Sequence, residues 1–457
     1  MIIRAAVGTA PQRHGKNAVA ERGVSRREFL KIAAAGAIGL AVGLGGGYAA
    51  WGLRTPRPAP TGRGVGGAGR RIRALWIYIG PIGDYGWTRA HDDGRRRVQE
   101  KFSSWLQTSY LEKVPVDQAY NVIKNQLEVN HYDAVFATSW GYMDPLKRLA
   151  REYPGVFFYH CSGPWEFFRD EPNVTTYFAE FYQLYYLCGI AAGAVTETCS
   201  VGYVPAFLTP EVVRHINAFA LGSIHGARLM GKCRDGEALK IYVTKPLNAW
   251  FAPSAARNSA RMLVDSYNVD VIAYTEDSTS ILETAESYWD EGRKVYSFSH
   301  YSNMYEYFLK KGKKLRCHLT GQVADWTPIY AYLLERLYAG DAHKEDIWAR
   351  LGDFTPIRWR RPVNESRAGK PEGAVYLAPI NTEAIPGKAV YEIKRLYEDM
   401  RELLFEPFTG PIRGYRIDSQ GRPQEKPRLK VPAGVRLGRN ELWRMNWFYE
   451  RITPLTG

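Results

Sequence analysis

From Arg73 onward, short apolar runs alternate with stretches of helical periodicity, and they do so in two consecutive series. The first has runs at Ala74–Ile79, Ala134–Ala137 and Val156–His160, with helical pattern beginning near Thr88 and again from Asp144 to about Tyr153. A helix over Phe181–Thr198 follows, with Leu184, Leu187, Cys188, Ala191 and Val195 on one face. The second has runs at Ser200–Val204, Lys240–Thr244, Val271–Tyr274 and Val295–Phe298. Helices over Pro210–Met230, about Pro253–Ser266 and Ser280–Asp290 separate them. Alternation of this kind is the signature of parallel α/β layers, and a double series implies two similar lobes rather than one large sheet. No short-period repeat points to a solenoid.

Ligands of open α/β sheets bind beyond the C-terminal ends of the strands, so the loops there carry the functional signal. The first, within Gly83–Gly94 (GDYGWTRAHDDG), offers a carboxylate, Asp84, and a large aromatic, Trp87. Three later loops carry similar residues: Trp140 and Tyr142 in TSWGY, Trp250 and Phe251 in NAWFAP, and Glu276, Asp277 and Ser278 in TEDST. One loop aromatic alone also suits packing beneath the next helix. Four such loops together suit a flat ring held between aromatic faces, with carboxylates accepting its N–H or O–H groups. Asp92 and Asp93 read as acids near a helix start, where dipole and solvent favour them.

The net charge of +14 invites a nucleic-acid reading, but its distribution argues otherwise. Residues 1–73 hold 13 Lys/Arg against 2 Asp/Glu, and the remainder 48 against 45. The body is therefore near neutral and lacks the basic balance of a nucleic-acid-binding domain. The basic N-terminus contains Ser25-Arg26-Arg27-Glu28-Phe29-Leu30-Lys31, followed by Ile32–Leu53, a run without a charge. A twin arginine before an apolar run is the pattern of a Tat-type export signal. As a helix the run would span roughly 33 Å, enough to cross a bilayer, although its many small residues make insertion marginal. Whether it is cleaved or kept as an anchor stays open, and in either case the body is expected outside the cytoplasm. Arg54–Gly69 is a Pro/Gly tether, and its G-x-G-x-x-G match (Gly62, Gly64, Gly67) lacks the preceding strand that a dinucleotide loop needs.

Several stretches identify the chain as resembling the basic membrane protein family of substrate-binding proteins, which includes purine-nucleoside receptors of ABC importers. They are GPIGDYGWTRAHDDGR (Gly80–Arg95), WGYMDPLKRLAREYP (Trp140–Pro154), TTYFAEFYQLYYLCGIAAG (Thr175–Gly193) and VGYVPAFLTPEVVRHINAFALG (Val201–Gly222). VIAYTEDST, VYSFSHYSNM, HLTGQVADWTPIY, FTGPI, VPAG and ELWRMNWF continue it toward the C-terminus. The resemblance implies a type I periplasmic-binding-protein fold: two Rossmann-like lobes joined by hinge strands and closing on a ligand. It implies capture of a nucleoside, nucleobase or similar ring without turnover, with an ABC permease as partner, a membrane link only through the N-terminal segment, and a monomer. Carried over, the ligand-binding candidates are Asp84, Trp87, Trp140, Tyr142, Trp250, Phe251 and Asp277, with no cofactor, metal or nucleic acid. The expected organisation is a basic region at 1–31, signal or anchor at 32–53 and linker at 54–72. Lobe 1 is expected at 73–197 with part of 320–365, lobe 2 at 198–319, and a C-terminal segment packing on the lobes at 366–457.

The chain departs from the family pattern at Tyr301 and Asn303, where acidic residues are usual, at Ala252 in place of Asp, and at Thr320-Gly321 in place of a Thr-Ser pair. These losses remove partners for sugar hydroxyls or ring N–H groups and point to a ligand other than a standard purine nucleoside. No G-x-x-x-x-G-K-[ST], H-E-x-x-H or G-x-S-x-G appears, which counts against an exported nucleoside hydrolase. A ligand-sensing ectodomain of the same fold is the other alternative. Cys161, Cys188, Cys199, Cys233 and Cys317 show no C-x-x-C spacing and read as small buried groups, with one disulfide allowed in an exported protein. Cys317-His318 is a lone pair on a strand pattern, too little for a metal site.

Overall fold

In the computed structural model, which describes residues 71–351 and 374–455, two sheets, parallel apart from one antiparallel edge strand in the second, repeat one strand order. The twin-arginine stretch, the apolar run and the linker lie outside the described residues. Among the described residues no helix is long and apolar enough to cross a membrane.

The first lobe runs β1 (Ile72–Ile77), α1 (Trp87–Lys101), β2 (Leu106–Leu111), α2 (Val116–Asn130), β3 (Ala134–Ala137), α3 (Met143–Glu152), β4 (Phe157–His160) and β5 (Val174–Ala179). The chain then enters the second lobe with α4 (Phe181–Val195), β6 (Ser200–Val204), α5 (Pro210–Leu229), β7 (Lys240–Val243), α6 (Pro253–Tyr267), β8 (Val271–Tyr274), α7 (Ser280–Asp290), β9 (Tyr296–Tyr301), α8 (Met304–Lys310) and β10 (His318–Ala324). It returns for α9 (Thr327–Ala339) and β11 (Asp346–Ala349), which completes a first sheet of order β11-β5-β4-β3-β1-β2, and crosses again to β12 (Val375–Leu377). The second sheet reads β12-β10-β9-β8-β6-β7-β16, where β16 (Ile452–Pro454) adds the chain's last strand beside β7. Stripped of edge additions, both sheets are wound in the same doubly wound order, which places two sets of strand-end loops face to face. The type I fold is thus in place.

The central strands β1, β3, β6 and β8 are buried almost throughout, as parallel strands covered on both faces must be. One helix departs from the expected division. Sequence order puts Phe181–Val195 in lobe 1, yet it packs on α5 of the second lobe, with every residue buried. The contact is backbone to backbone. A Cβ on Gly189 would stand 2.3 Å from the Phe219 carbonyl oxygen and one on Gly193 1.9 Å from that of Ser223. From the other side, one on Gly222 would stand 2.0 Å from the Tyr186 oxygen and one on Gly226 2.1 Å from that of Ile190. Two reciprocal Gly-x-x-x-Gly faces let these helices touch without side chains between them, an approach that only glycine permits.

The C-terminal segment adds α10 (Gly387–Arg401) and a small antiparallel sheet of β13 (Ile412–Arg416), β14 (Arg428–Val431) and β15 (Trp447–Tyr449), with the short α11 (Arg439–Leu442) between the last two. Asn217 of α5 clamps it: its Nδ2 donates to the Trp447 oxygen and its Oδ1 accepts from the Tyr449 N–H, each at 2.8 Å. Cys199 and Cys233 form a disulfide, while Cys161, Cys188 and Cys317 are free and buried. Asp92 is corrected as well. It lies in the second turn of α1, is buried, and pairs with Arg95 at 2.8 Å and Arg96 at 3.1 Å. Only Asp93 keeps partial solvent contact, bonded to Arg89 and Arg96.

Candidate functional site: the cleft between the lobes

The loop after β1 turns into α1 through Gly86, and the Asp84 carboxylate folds back over the helix start. Its Oδ1 accepts from the Gly86 and Arg89 N–H groups at 2.9 and 3.0 Å, and its Oδ2 from Thr88 at 2.9 Å. Burial nevertheless outweighs these bonds and pushes Asp84 up to about 6. This capping carboxylate fixes where Trp87, the first residue of α1, stands. The Trp87 Nε1–H donates to the Thr138 oxygen at 2.7 Å, and edge-on contacts with Tyr301, His91 and Trp326 hold the ring.

Opposite Gly86 lies the second lobe's TEDST loop. A Cβ on Gly86 would stand 2.5 Å from the Asp277 backbone oxygen, so the lobes touch at this point. Ser302 Oγ also donates across to the Tyr85 oxygen, and the Tyr85 and Tyr307 rings meet at 3.7 Å. Further in, Ser162 of the first lobe donates to Glu211 Oε2 of the second at 2.6 Å, while Tyr301 O–H donates to Glu211 Oε1 at 2.7 Å. Tyr301 sits at the end of β9 with φ of 57°, a conformation a bulky side chain adopts only at a cost and one that recurs at ligand-contacting positions.

These contacts enclose an inner chamber of about 20 Å³ lined by Trp87, Ser139, Trp140, Ser162, Glu211, Trp250, Asp277, Tyr301 and Ile79. It opens past Trp140 and Trp250 into a mouth of about 570 Å³, whose walls add Pro81, Lys113, Val116, Phe207 and Phe251. Both lobes contribute to each. Of the residues expected from sequence, Trp87, Trp140, Trp250 and Asp277 meet in the inner chamber and Phe251 lines the mouth. Two go elsewhere. Asp84 spends both oxygens on the start of α1, and Tyr142 is fully buried in the core of lobe 1, with its O–H donating to the Val114 oxygen at 2.6 Å. Ser139, Ser162, Glu211 and Tyr301 were not expected. Glu211 was masked by its neighbours: Thr209 caps α5 and Pro210 opens it, so an acid one position on reads as a dipole partner.

The buried Asp277 carboxyl faces the start of α1, where the Trp87 N–H donates to it. It is 1% exposed, and its Oδ1 accepts no hydrogen bond. Burial, then the nearby Asp84 charge, hold its acid well above the ordinary range. His300 Nε2 stands 3.6 Å from Oδ1, likewise without a partner. Tyr185 O–H donates to the Tyr274 oxygen at 2.9 Å, so the 2.9 Å contact between Tyr185 and His300 Nδ1 has the imidazole as donor. Nε2 is then the acceptor that faces Asp277, and burial favours the Asp277 carboxyl in its protonated, donating form. Glu276, by contrast, is absorbed by the Ala252 and Ser278 N–H groups and the Ser278 hydroxyl. Among the described residues no group of His, Cys, Asp and Glu is arranged to hold a metal ion.

Residues 72–348 match the family described as Bmp, ABC transporter substrate-binding protein PnrA-like. The chain belongs to this family. This Bmp protein is 34% identical over 289 residues to a putative ABC transporter glucose-binding protein of Haloferax volcanii, covering 63% of this chain and 67% of the relative. It is 29% identical over 355 residues to a purine-binding protein of Brucella abortus, with 77% and 87% covered. Among solved structures, an ABC transporter solute-binding protein of Aeropyrum pernix superposes with a TM-score of 0.56 at 13% identity. That match covers 73% of this chain and 91% of the other, and it supports the fold alone. As a Bmp substrate-binding protein the molecule belongs to the extracytoplasmic side of an ABC importer, where it binds a small molecule.

Proposed function

We propose that this Bmp protein captures a planar ring, a nucleoside, a nucleobase or a related heterocycle, in the cleft between its lobes and passes it unchanged to an ABC permease. One observation carries the reading. Three indoles from both lobes, Trp87, Trp140 and Trp250, meet at the inner chamber, and Trp140 and Trp250 also wall the mouth of about 570 Å³, which is large enough for a ring. Indole faces offer stacking area at low entropic cost. The purine-binding relative points the same way.

A second reading has its own support. The relative of higher identity is named for glucose, and aromatic faces with carboxylates also suit a sugar. Purified residues 70–457 incubated with nucleosides, nucleobases and hexoses would separate the two by thermal shift, with chromatography of the mixture to detect products. A ring at 100-fold its Kd should add about 2.7 kcal/mol of stability. Saturable stabilisation by a ring without product supports the proposal. Stabilisation by glucose alone transfers the site to sugars, and product release without saturable stabilisation returns it to a hydrolase.

A further inference from the structure

On the footing that the cleft binds a ring, the mouth constrains the guest more than the inner chamber does, because the mouth, at about 570 Å³, has room for one. Trp140, Phe207, Trp250 and Phe251 wall it with rings, and Lys113 is the one charged residue among the described residues that line it. The turn after β2 fixes that lysine. Its N–H donates to the Gly80 oxygen at 3.3 Å, and the N–H of Val114 donates to the Tyr78 oxygen at 3.0 Å. Lys113 is thereby tied to the loop after β1, with a φ of 55°. Among the described residues its ammonium has no ion pair or hydrogen bond, and the adjoining Glu112 carboxylate instead accepts the Ile82 N–H at 2.8 Å. The Glu211 carboxylate lies further in, held by the hydroxyls of Ser162 and Tyr301. A guest that fills the mouth therefore meets negative charge at its inner end and positive charge at its outer end. Hydroxyls are scarce there: Ser139 and Thr209 supply them, and Thr209 accepts from the Val212 N–H at 3.4 Å at the start of α5.

We infer that Lys113 makes the mouth select a planar ring carrying an anionic group, a carboxylate or a phosphate, over the neutral ring of the same frame. The ring lies against the indoles of Trp140 and Trp250, and the anion meets the Lys113 ammonium at the outer end. An ammonium is a compact point charge on a flexible stem, so it takes either anion without demanding a fixed geometry. The preference is that of a solvent-accessible ion pair, and it weakens as salt screens the charges.

Matched probes test this on the wild-type protein at neutral pH. Nicotinate and nicotinamide differ by a carboxylate in place of a carboxamide, and adenosine monophosphate and adenosine differ by a phosphate. Calorimetric titration in dilute buffer is expected to give the anionic member of at least one pair roughly fivefold tighter binding, the upper range of an accessible ion pair. In about 0.5 M salt that margin should shrink toward parity. The pair that shows it tells a carboxylate guest from a phosphate one. Lys113→Gln is expected to abolish the margin while leaving binding of the neutral member within about twofold, and Lys113→Arg to keep it. Equal or tighter binding of both neutral members in the wild type overturns the inference and leaves ring capture standing. So does a margin that survives Lys113→Gln or does not respond to salt. Failure of all four probes to saturate also overturns it, whereas ring capture is decided by the wider panel of nucleosides and nucleobases. The comparison at two salt concentrations needs no variant, so the inference remains decidable if Lys113→Gln does not fold.

Discussion

The contact between α4 and α5 sets up a test in which two physical effects predict opposite signs. Gly193 lies inside α4, and replacing an interior helical glycine by alanine ordinarily stabilises by about 1 kcal/mol, because the unfolded chain loses freedom and the helix gains propensity. Here the new methyl would stand 1.9 Å from the Ser223 oxygen and 2.7 Å from the Ala227 nitrogen. Both are backbone atoms of α5 and cannot rotate aside. To reach ordinary contact the helices must part by about 1.5 Å, opening a seam along two elements that are buried on nearly every side. Overpacking of this kind costs about 1–3 kcal/mol, and a separation shared along the helix falls at the upper end. The expected net effect of Gly193→Ala is therefore a loss of about 2 kcal/mol, read as a lower urea midpoint by circular dichroism. Gly189→Ala should behave alike. The double variant should cost clearly less than the sum, because the first methyl has already moved the helices apart. As a control, Gly387→Ala adds a methyl with nothing within 4 Å and should be near neutral. A Gly193→Ala protein as stable as the wild type or more so would refute the close-contact account.

Two further outcomes can be checked without a ligand. The Cys199–Cys233 disulfide spans a sequence separation of 34, and closing a loop of that size should contribute about 4 kcal/mol in the chain-entropy treatment. Cys199→Ser with Cys233→Ser should lose stability on that scale, and an unchanged midpoint would show that the bridge restrains little. Asp84 concerns pH. Its folded acid is raised to about 6, above its ordinary value, so the folded state holds the proton more tightly and Asp84's contribution is lost as pH rises from about 4 through 6. The buried His91, His215 and His300 are all pushed down by burial and act in the opposite sense, losing stability as pH falls below their ordinary range. The observable is thus a difference: between pH 4 and 6 the wild type should lose stability relative to Asp84→Asn as pH rises. A constant gap across that window would sink the assignment.

Much of the two-lobe plan was open to reading because strand and helix periods alternate cleanly. The strands Ala134–Ala137, Ser200–Val204 and Val271–Tyr274 and the helix Ser280–Asp290 fall where the pattern sets them, bounded by turn residues and loops. β2 escaped because it is an edge strand whose sequence LQTSYL is half exposed and shows no apolar run, and β5 because its buried Thr175 and Thr176 read as polar. In the site, position along the strands was sufficient for Trp87, Trp140, Trp250 and Asp277, all at strand ends. It could not tell which strand-end side chains turn back. Asp84 and Tyr142 have the right chemistry in the right loops, yet one caps a helix and the other packs inward, choices made by backbone angles rather than residue type. Tyr301 showed only as a departure from a family pattern, and its partner Glu211 was hidden by a helix start.

The part of the molecule beyond the family match also reaches the site. Trp443 follows α11 in the C-terminal segment, yet its ring lies 6.1 Å from Trp140 at the neck of the cleft, 5.3 Å from Phe178 and 5.6 Å from Trp348. Between these rings stands the Arg214 guanidinium, fully buried, 4.4 Å from the Trp443 centroid and 5.1 Å from that of Phe178. Its Nη1 reaches the Leu442 oxygen at a long 3.4 Å, while Nε and Nη2 have no hydrogen-bond partner, and burial pulls the group down to about 10. A cation so poorly hydrogen-bonded depends on the aromatic faces and on the Glu211 charge. Trp443→Ala should then cost more than the usual 3–5 kcal/mol of a deleted core aromatic, because it strips the cage as well as leaving a cavity. With Arg214→Met in place the charge is gone, and only the cavity cost should remain. A double-mutant cycle between the two positions is therefore expected to show a coupling of about 1–2 kcal/mol, the scale of a desolvated cation–π contact. Strictly additive losses would mean that the rings merely fill space around Arg214. In that case the C-terminal segment would support the neck at Trp140 by packing alone, with no electrostatic link to Glu211 in the chamber.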